Sequence, residues 1–326
     1  MAAESWEEDR AAPHRLLADE AVQIEADADA FLDQPFLVEV LQSLVRTKSI
    51  NPGIYEVEMA KRVSAWLEGT AAEVEIVEGL PGRPSVGARI RGKGDGPALV
   101  LNGHMDTVPL DDESLWRMDP FAAEVAEDGF MYGRGACDMK AGLTVQIAVA
   151  HYLSKHLDRL NGSLVLHFAM GEEVGEPGTL SLIKAGYTGD VGIVTEPTDL
   201  DLCLAHRGFM WIEIETTGRA AHGSRPNEGV DAIAHMGRVL VALEAYAQEL
   251  ASRPHPPLVT PPSVHASIIE GGRELSVYPD RCVLKIERRT VTGETRHSVM
   301  AEMDALLGRL AAADPTFEAE ARFLFS

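Results

Sequence analysis

Three short runs, 98–102, 163–170 and 190–195, are largely apolar, and helix-patterned segments separate the second from its neighbours. A strand that is apolar on successive residues must be covered on both faces, the situation of strands inside a parallel sheet. Strands alternating with helices therefore predict an α/β domain built on a mainly parallel sheet. Ligands of such sheets collect beyond the carboxyl ends of the strands. Here those ends carry acids and an imidazole: His104 and Asp106 after the first run, Glu172 and Glu173 after the second, Glu196 at the third. Asp138 adds a further carboxylate from the Gly-rich segment 132–142, which opens a helix expected over 140–157.

The pattern begins earlier, with one helical face formed by Phe36, Leu37, Val40, Leu41, Leu44 and Val45, and another by Met59, Val63, Trp66 and Leu67. Strands are expected at 73–77 and 86–90, a loop-rich section over 103–138, and a helix near 179–185. Near 206 the texture changes. Residues 209–217 alternate with period two, and a helix (230–250), two more alternating strands (264–269 and 281–288) and a helix (295–312) follow. That order predicts a small α+β sandwich with one sheet face covered by helices. Residues 317–325 read as a last strand, and Asp231 as the N-cap of the long helix. The expected organisation is an acidic N-terminal extension at 1–33, a catalytic domain at 34–206, an α+β domain at 207–314, and at 315–326 the start of a return to the catalytic domain.

The formal charge of -22 makes nucleic acid and anionic membrane poor partners. The polar, acidic N-terminus does not read as a signal peptide, and no apolar stretch reaches transmembrane length, so a soluble, cytoplasmic protein is expected. Cys137, Cys203 and Cys282 are widely spaced, which suggests neither a disulfide framework nor a thiolate zinc site.

Carboxylates and imidazole together suit Zn²⁺. His104 and Asp106, two apart on an extended segment, lie on one side, so the Asp can orient the imidazole while the His binds a metal. Taken singly, each residue has a plainer role open to it. His104 could be a structural strand histidine, Asp138 a helix N-cap, Glu196 a turn residue before Pro197. Glu172 and Glu173 are adjacent carboxylates that repel unless they share a proton or a cation. No Gly-x-Ser-x-Gly elbow occurs, which argues against a serine hydrolase.

Taken together, over about residues 36–325, these segments resemble the family of acetylornithine deacetylase, succinyl-diaminopimelate desuccinylase and carboxypeptidase G. The resemblance rests on Gly-His-Met-Asp at 103–106, Gly-Ala-Cys-Asp-Met-Lys at 135–140, Gly-Glu-Glu at 171–173 and Thr-Glu-Pro at 195–197. It extends through Arg-Ala-Ala-His-Gly at 219–223, Glu-Gly-Gly at 270–272 and Arg-Arg at 288–289.

It implies a zinc aminopeptidase-like catalytic domain with an inserted α+β lid and dimerisation domain. It also implies metal-dependent hydrolysis of an amide bond in an N-acyl amino acid or small peptide. His104 and Glu196 would bind one Zn²⁺, Glu173 the other, and Asp138 both, with Co²⁺ or Mn²⁺ as alternatives. Asp106 would orient His104, and Glu172 would move a proton from water to the leaving nitrogen. The peptide bond after Asp138 would be cis. His222 would act in the partner subunit's site of a homodimer, Arg289 would grip a substrate carboxylate, and Ser276 stands near the substrate where many relatives have Asn. Arg288 would point to solvent.

Relatives add a late His for the second metal, and none of His255, His265 and His297 sits in that closing motif. The expectation is a C-terminally truncated member with a weaker second metal site and an uncovered sheet edge. The alternative is a catalytically impaired, metal-binding and dimerising fragment.

Overall fold

The computed structural model describes residues 34–325, so the expected N-terminal extension lies outside the described residues. The chain divides between Leu200 and Asp201 into two compact units, six residues before the boundary the sequence suggests.

In the first unit, helices α1 (Gln34–Arg46) and α2 (Val57–Leu67) precede strands β1 (Glu73–Leu80), β2 (Arg83–Arg91) and β3 (Ala98–His104). A short ribbon, β4 (Glu124–Val125) and β5 (Met131–Tyr132), lies within the loop-rich section. Helix α3 (Ala141–Lys155), β6 (Ser163–Ala169), α4 (Gly178–Lys184) and β7 (Val191–Val194) complete the unit. The sheet order is β1-β2-β6-β3-β7. β3 pairs in parallel with β6 and with β7, whereas β1–β2 and β2–β6 are antiparallel. The sheet is thus mixed, and its parallel half is the one whose strand ends carry the acids.

Burial explains the apolar run of β6. Leu164, Leu166 and Phe168 pack with Leu44 of α1, Val63 of α2 and Ile147 of α3 on one face. Val165 and Ala169 pack with Leu182 of α4 and Tyr187 on the other. β7 is an edge strand, and its Val191, Ile193 and Val194 are exposed.

The second unit contains β8 (Gly208–Thr217), α5 (Ala232–Ala251), β9 (Ser263–Gly271), β10 (Arg281–Thr290), α6 (Arg296–Ala313) and β11 (Glu318–Phe325). Asp231 caps α5, its side chain accepting from the Ala234 N–H at 2.9 Å. The strands form an antiparallel sheet in the order β11-β8-β10-β9. Ile212, Ile214, Leu284 and Ile286 turn one sheet face toward Val239 of α5 and Met303 of α6. Residues 318–325, expected to begin a return to the catalytic domain, instead pair with β8 as an edge of this second sheet. Phe317 and Phe323 pack into the same core, which supplies the reason. Among the described residues no helix is long and apolar enough to cross a membrane.

Arg288 corrects the sequence reading. It is fully buried, because it continues the inward series Cys282, Leu284, Ile286 along β10. Its Nε donates to the Tyr246 hydroxyl at 3.1 Å, and its guanidinium pairs with Glu294. Tyr246 in turn bonds to Glu302, which Arg253 Nη1 reaches at 2.6 Å. Removing one partner of a buried ion pair strands the other and costs about 3–5 kcal/mol. Arg288→Met should therefore lose about 3 kcal/mol in equilibrium urea unfolding; a loss below about 0.5 kcal/mol, the range of surface substitutions, would show that Arg288 is not an internal strut.

Candidate metal centre

Parallel pairing aligns the ends of three strands. His104 sits opposite Ala169, and Asn102 opposite Val194. Each chain then leaves the sheet at the same edge, so His104, Glu172 with Glu173, and Glu196 emerge side by side. The Thr195 N–H donates to the Asn102 carbonyl at 2.9 Å and the Met105 N–H to the Ala169 carbonyl at 2.7 Å, extending the alignment past the strands.

The fourth contribution arrives from the turn Ala136–Lys140, which leads into α3. The Asp138–Met139 peptide is cis, as the resemblance implies. Met139 is fully buried, and its sulfur accepts from the His104 N–H at 3.1 Å, while Asp138 is left exposed. Two glycines let α3 approach this closely. A Cβ on Gly103 would lie 2.7 Å from Met139 Cε, and one on Gly142 only 2.2 Å from the Thr195 carbonyl oxygen.

His104 is 2% exposed. Its Nδ1 lies 2.9 Å from the Asp106 carbonyl oxygen, so Nδ1 carries a proton and donates it. The Asp106 carboxylate is 3.6 Å away. The orienting acceptor is thus the main chain of Asp106, and the carboxylate has other tasks. It accepts from Asn51 Nδ2 at 3.0 Å, from the Glu172 N–H at 3.1 Å and from the Glu173 N–H at 3.2 Å. Burial would raise the Asp106 pKa, but these bonds and the His104 charge outweigh it and hold the group below the ordinary carboxylate value.

The other ring nitrogen faces acids. His104 Nε2 lies 3.2 Å from Asp138 Oδ1, 3.4 Å from Glu196 Oε1 and 3.7 Å from Glu172 Oε2. A lone pair on Nε2 would confront these oxygens, so a proton or a cation belongs between them. Burial lowers the His104 pKa, yet Asp106, Asp138 and Glu196 hold its proton up to about 11. Burial, followed by neighbouring carboxylates, pushes Glu173 and Glu196 up to about 7, against the pull of His104. Burial alone brings Lys140 down to about 7, its Nζ donating to the Thr47 carbonyl at 2.9 Å.

These donors fit a metal ion. Ligand atoms of His104, Asp138 and Glu196 all lie within 4.8 Å of one another. Atoms about 2.1 Å from a tetrahedral Zn²⁺ sit about 3.4 Å apart, close to the separations seen around Nε2. Glu173 is outside that trio but shares its electrostatic field.

The remaining candidates lie in the second unit. The loop carrying His222 runs beside the one carrying Ser276: the Gly223 N–H donates to the Ser276 carbonyl at 2.7 Å, and His222 bridges Val277. His222 and Ser276 are thereby brought together, both exposed. Arg289 is not with them. These loops flank the start of β10, whereas Arg289 is near its end, opposite Phe209 and Ser263. Eight residues of strand separate it from Arg281, about 26 Å at 3.3 Å per residue. Arg289 Nε donates to Glu287 at 2.6 Å, and the guanidinium lies over Phe209.

Asn51, Glu56 and Arg83, which support the site, went unnoticed in the sequence. Asn51, before a cis proline, carried only a turn signal, and the other two none.

Residues 100–234 match Peptidase family M20/M25/M40, and residues 204–315 match the Peptidase dimerisation domain. An acetylornithine deacetylase from Vibrio atlanticus is 30% identical over 269 residues, which cover 79% of this chain and 69% of that protein. The chain belongs to peptidase family M20. Its second unit carries the family's dimerisation domain, and the family is one of hydrolases acting on amide bonds. An N-formyl-4-amino-5-aminomethyl-2-methylpyrimidine deformylase from Bacillus subtilis is 28% identical, over 85% of this chain and 68% of its own length. The fold matches the Bacillus subtilis YXEP protein, described as a dinuclear metal binding peptidase, with a TM-score of 0.60, 22% identity and coverage of 90% of this chain and 75% of that one. It also matches the aminopeptidase PepT from Bacillus cereus, with a TM-score of 0.64, 20% identity and coverage of 90% and 76%.

Metal ligands must shed their protons. With the metal-free His104 protonated to about 11 and Glu173 and Glu196 titrating near 7, ion binding at pH 7 should release protons. Calorimetric titration with Zn²⁺ in buffers of different ionisation enthalpy should show about one proton or more released per first ion. Affinity should rise between pH 6 and 8. Binding without proton release would exclude His104 as a ligand.

Proposed function

We propose that this chain hydrolyses the amide bond of an N-acyl amino acid or small peptide at a centre of two divalent cations, Zn²⁺ foremost, with Co²⁺ or Mn²⁺ able to substitute. One observation carries the reading: His104 Nε2 meets Asp138, Glu196 and Glu172 where three parallel strands end. His104 and Glu196 would hold one ion, Glu173 the other, with Asp138 shared between them. Bound there, the ions would acidify water and polarise the scissile carbonyl.

The chain's own groups would do the rest. Glu172 is the carboxylate of the set left free of a ligand role, and it is more than half exposed. It would accept a proton from the attacking water and return it to the leaving nitrogen. The main-chain carbonyl of Asp106 keeps the His104 Nδ1 proton in place and so directs Nε2 at the ions.

His222 is suited to polarising a carbonyl from a second subunit. The Ser224 N–H donates to its Nδ1 at 3.2 Å, which leaves Nε2 as the N–H that can donate. Edge strand β9, with Ile268 and Ile269 exposed, supports a homodimer formed through the second unit. Arg289 would grip a substrate carboxylate, sharing its guanidinium with Glu287; because it lies about 26 Å along β10 from the His222 and Ser276 loops, His222 and Ser276 would meet that substrate from the second subunit. The first unit would be the catalytic domain and the second the lid.

The test is a panel of N-acetyl, N-succinyl and N-formyl amines, N-acetylornithine and the formyl-aminopyrimidine included, assayed with Zn²⁺ or Co²⁺. One class should be hydrolysed. Glu172→Gln should lower kcat by about 10²–10⁴-fold while retaining its metal. Full turnover by that variant would remove Glu172 from the mechanism.

A further inference from the structure

The turn Gly171–Glu176 carries both Glu172 and Glu173, and a buried charged group that takes no part in the proposed chemistry is bound to it. Arg83 opens β2 and is 7% exposed, and Glu56, just before α2, is fully buried. Arg83 grips Glu56 as a fork, Nε to Oε2 at 2.7 Å and Nη2 to Oε1 at 2.6 Å. Nη1 meets Glu176 Oε2 at 2.7 Å as an ion pair out of hydrogen-bond alignment. Glu56 Oε1 accepts a further bond, from the Gly171 N–H at 3.1 Å. The pair thus reaches both ends of the turn, Gly171 through Glu56 and Glu176 through Arg83. The turn closes on itself where the Glu176 N–H donates to the Gly171 carbonyl at 2.8 Å. The Tyr55 ring lies over the guanidinium, 4.2 Å from it, and limits its contact with water.

A buried ion pair is a poor source of stability, because desolvation offsets most of its attraction. What such a fork does supply is direction, since a planar guanidinium fixes two carboxylates in defined places. We propose that Arg83 and Glu56 are positioning residues that fix the Gly171–Glu176 turn so that Glu172 and Glu173 face the His104 centre. The inference rests on the two-cation reading above. Asp106 anchors the turn by the Glu172 and Glu173 N–H groups, and Arg83 with Glu56 anchors its two ends. Without the second anchor, the turn could pivot about Asp106 and carry Glu173 away from an ion.

The test compares the full chain with Arg83→Met, Glu56→Gln and the double variant by three readings. These are Co²⁺ affinity from visible absorption, amide exchange of residues 171–176, and urea unfolding. Each single variant should lose stability, because Arg83→Met strands the buried Glu56 and Glu56→Gln leaves the buried Arg83 with only the less buried Glu176, and the double variant should regain most of it. Co²⁺ affinity should fall about ten-fold or more in all three, the double variant included. In the double variant, residues 171–176 should exchange about ten-fold faster or more, while α3 keeps its protection. Co²⁺ affinity that returns along with stability in the double variant would reduce the pair to a structural role and overturn the proposal. If the parent chain bound no Co²⁺, the two-cation reading would fail and the inference with it. If the parent bound Co²⁺ and the variants matched it, the inference alone would fail.

Discussion

Asp106 is a fully buried carboxylate that gathers an Asn51 amide and the main-chain N–H groups of Glu172 and Glu173. Charge-assisted bonds of this kind are about twice as strong as neutral ones, and they offset the cost of burying the charge. The same residue's carbonyl takes the His104 Nδ1 proton. Asp106 therefore ties the end of β3 to the turn after β6 and sets the direction of the imidazole. Parallel pairing places the strand ends at one edge, and Asp106 turns that placement into a fixed arrangement of donors.

The arrangement is held against repulsion. Asp138, Glu172, Glu173 and Glu196 crowd around one imidazole, and in the absence of a cation His104, Glu173 and Glu196 hold protons that their ordinary pKa values would release. Burial first, and the neighbouring carboxylates after it, raise Glu173 and Glu196, while Asp106, Asp138 and Glu196 raise His104 against its own burial. A site that resists its own ionisation is poised for a multiply charged cation, and this is how the geometry connects to hydrolysis. The buried fork of Arg83 and Glu56 belongs to the same logic, since a turn bearing mutually repelling acids needs restraint at its ends.

Much of this was legible in the sequence, for physical reasons. The apolar run of β6 is buried on both faces, as Leu166 and Val165 show, and so announced a covered sheet. His104, Glu172 and Glu196 follow strands, and chemistry at strand ends was the natural reading. Other features were not legible. Whether β2 pairs antiparallel with β6 depends on long-range register, which local patterning does not encode, so a mainly parallel sheet was expected where the sheet is mixed. Arg288 reads as a surface charge until Tyr246 and Glu294 are placed beside it. Asp106 was expected to orient His104 by its carboxylate, but the closer acceptor is its backbone, a distinction below the resolution of residue spacing. Residues 318–325 were readable as a strand but not as a partner of β8.

The most direct test of this account is metal content per chain by elemental analysis after dialysis against Zn²⁺-free buffer, on the parent and on Asp138→Ala. The account predicts at least about one tightly held divalent ion per chain in the parent, and its loss in the variant, because Asp138 supplies the oxygen nearest His104 Nε2. No metal in either protein, or equal metal in both, would contradict the assignment of this strand-end cluster as the metal centre.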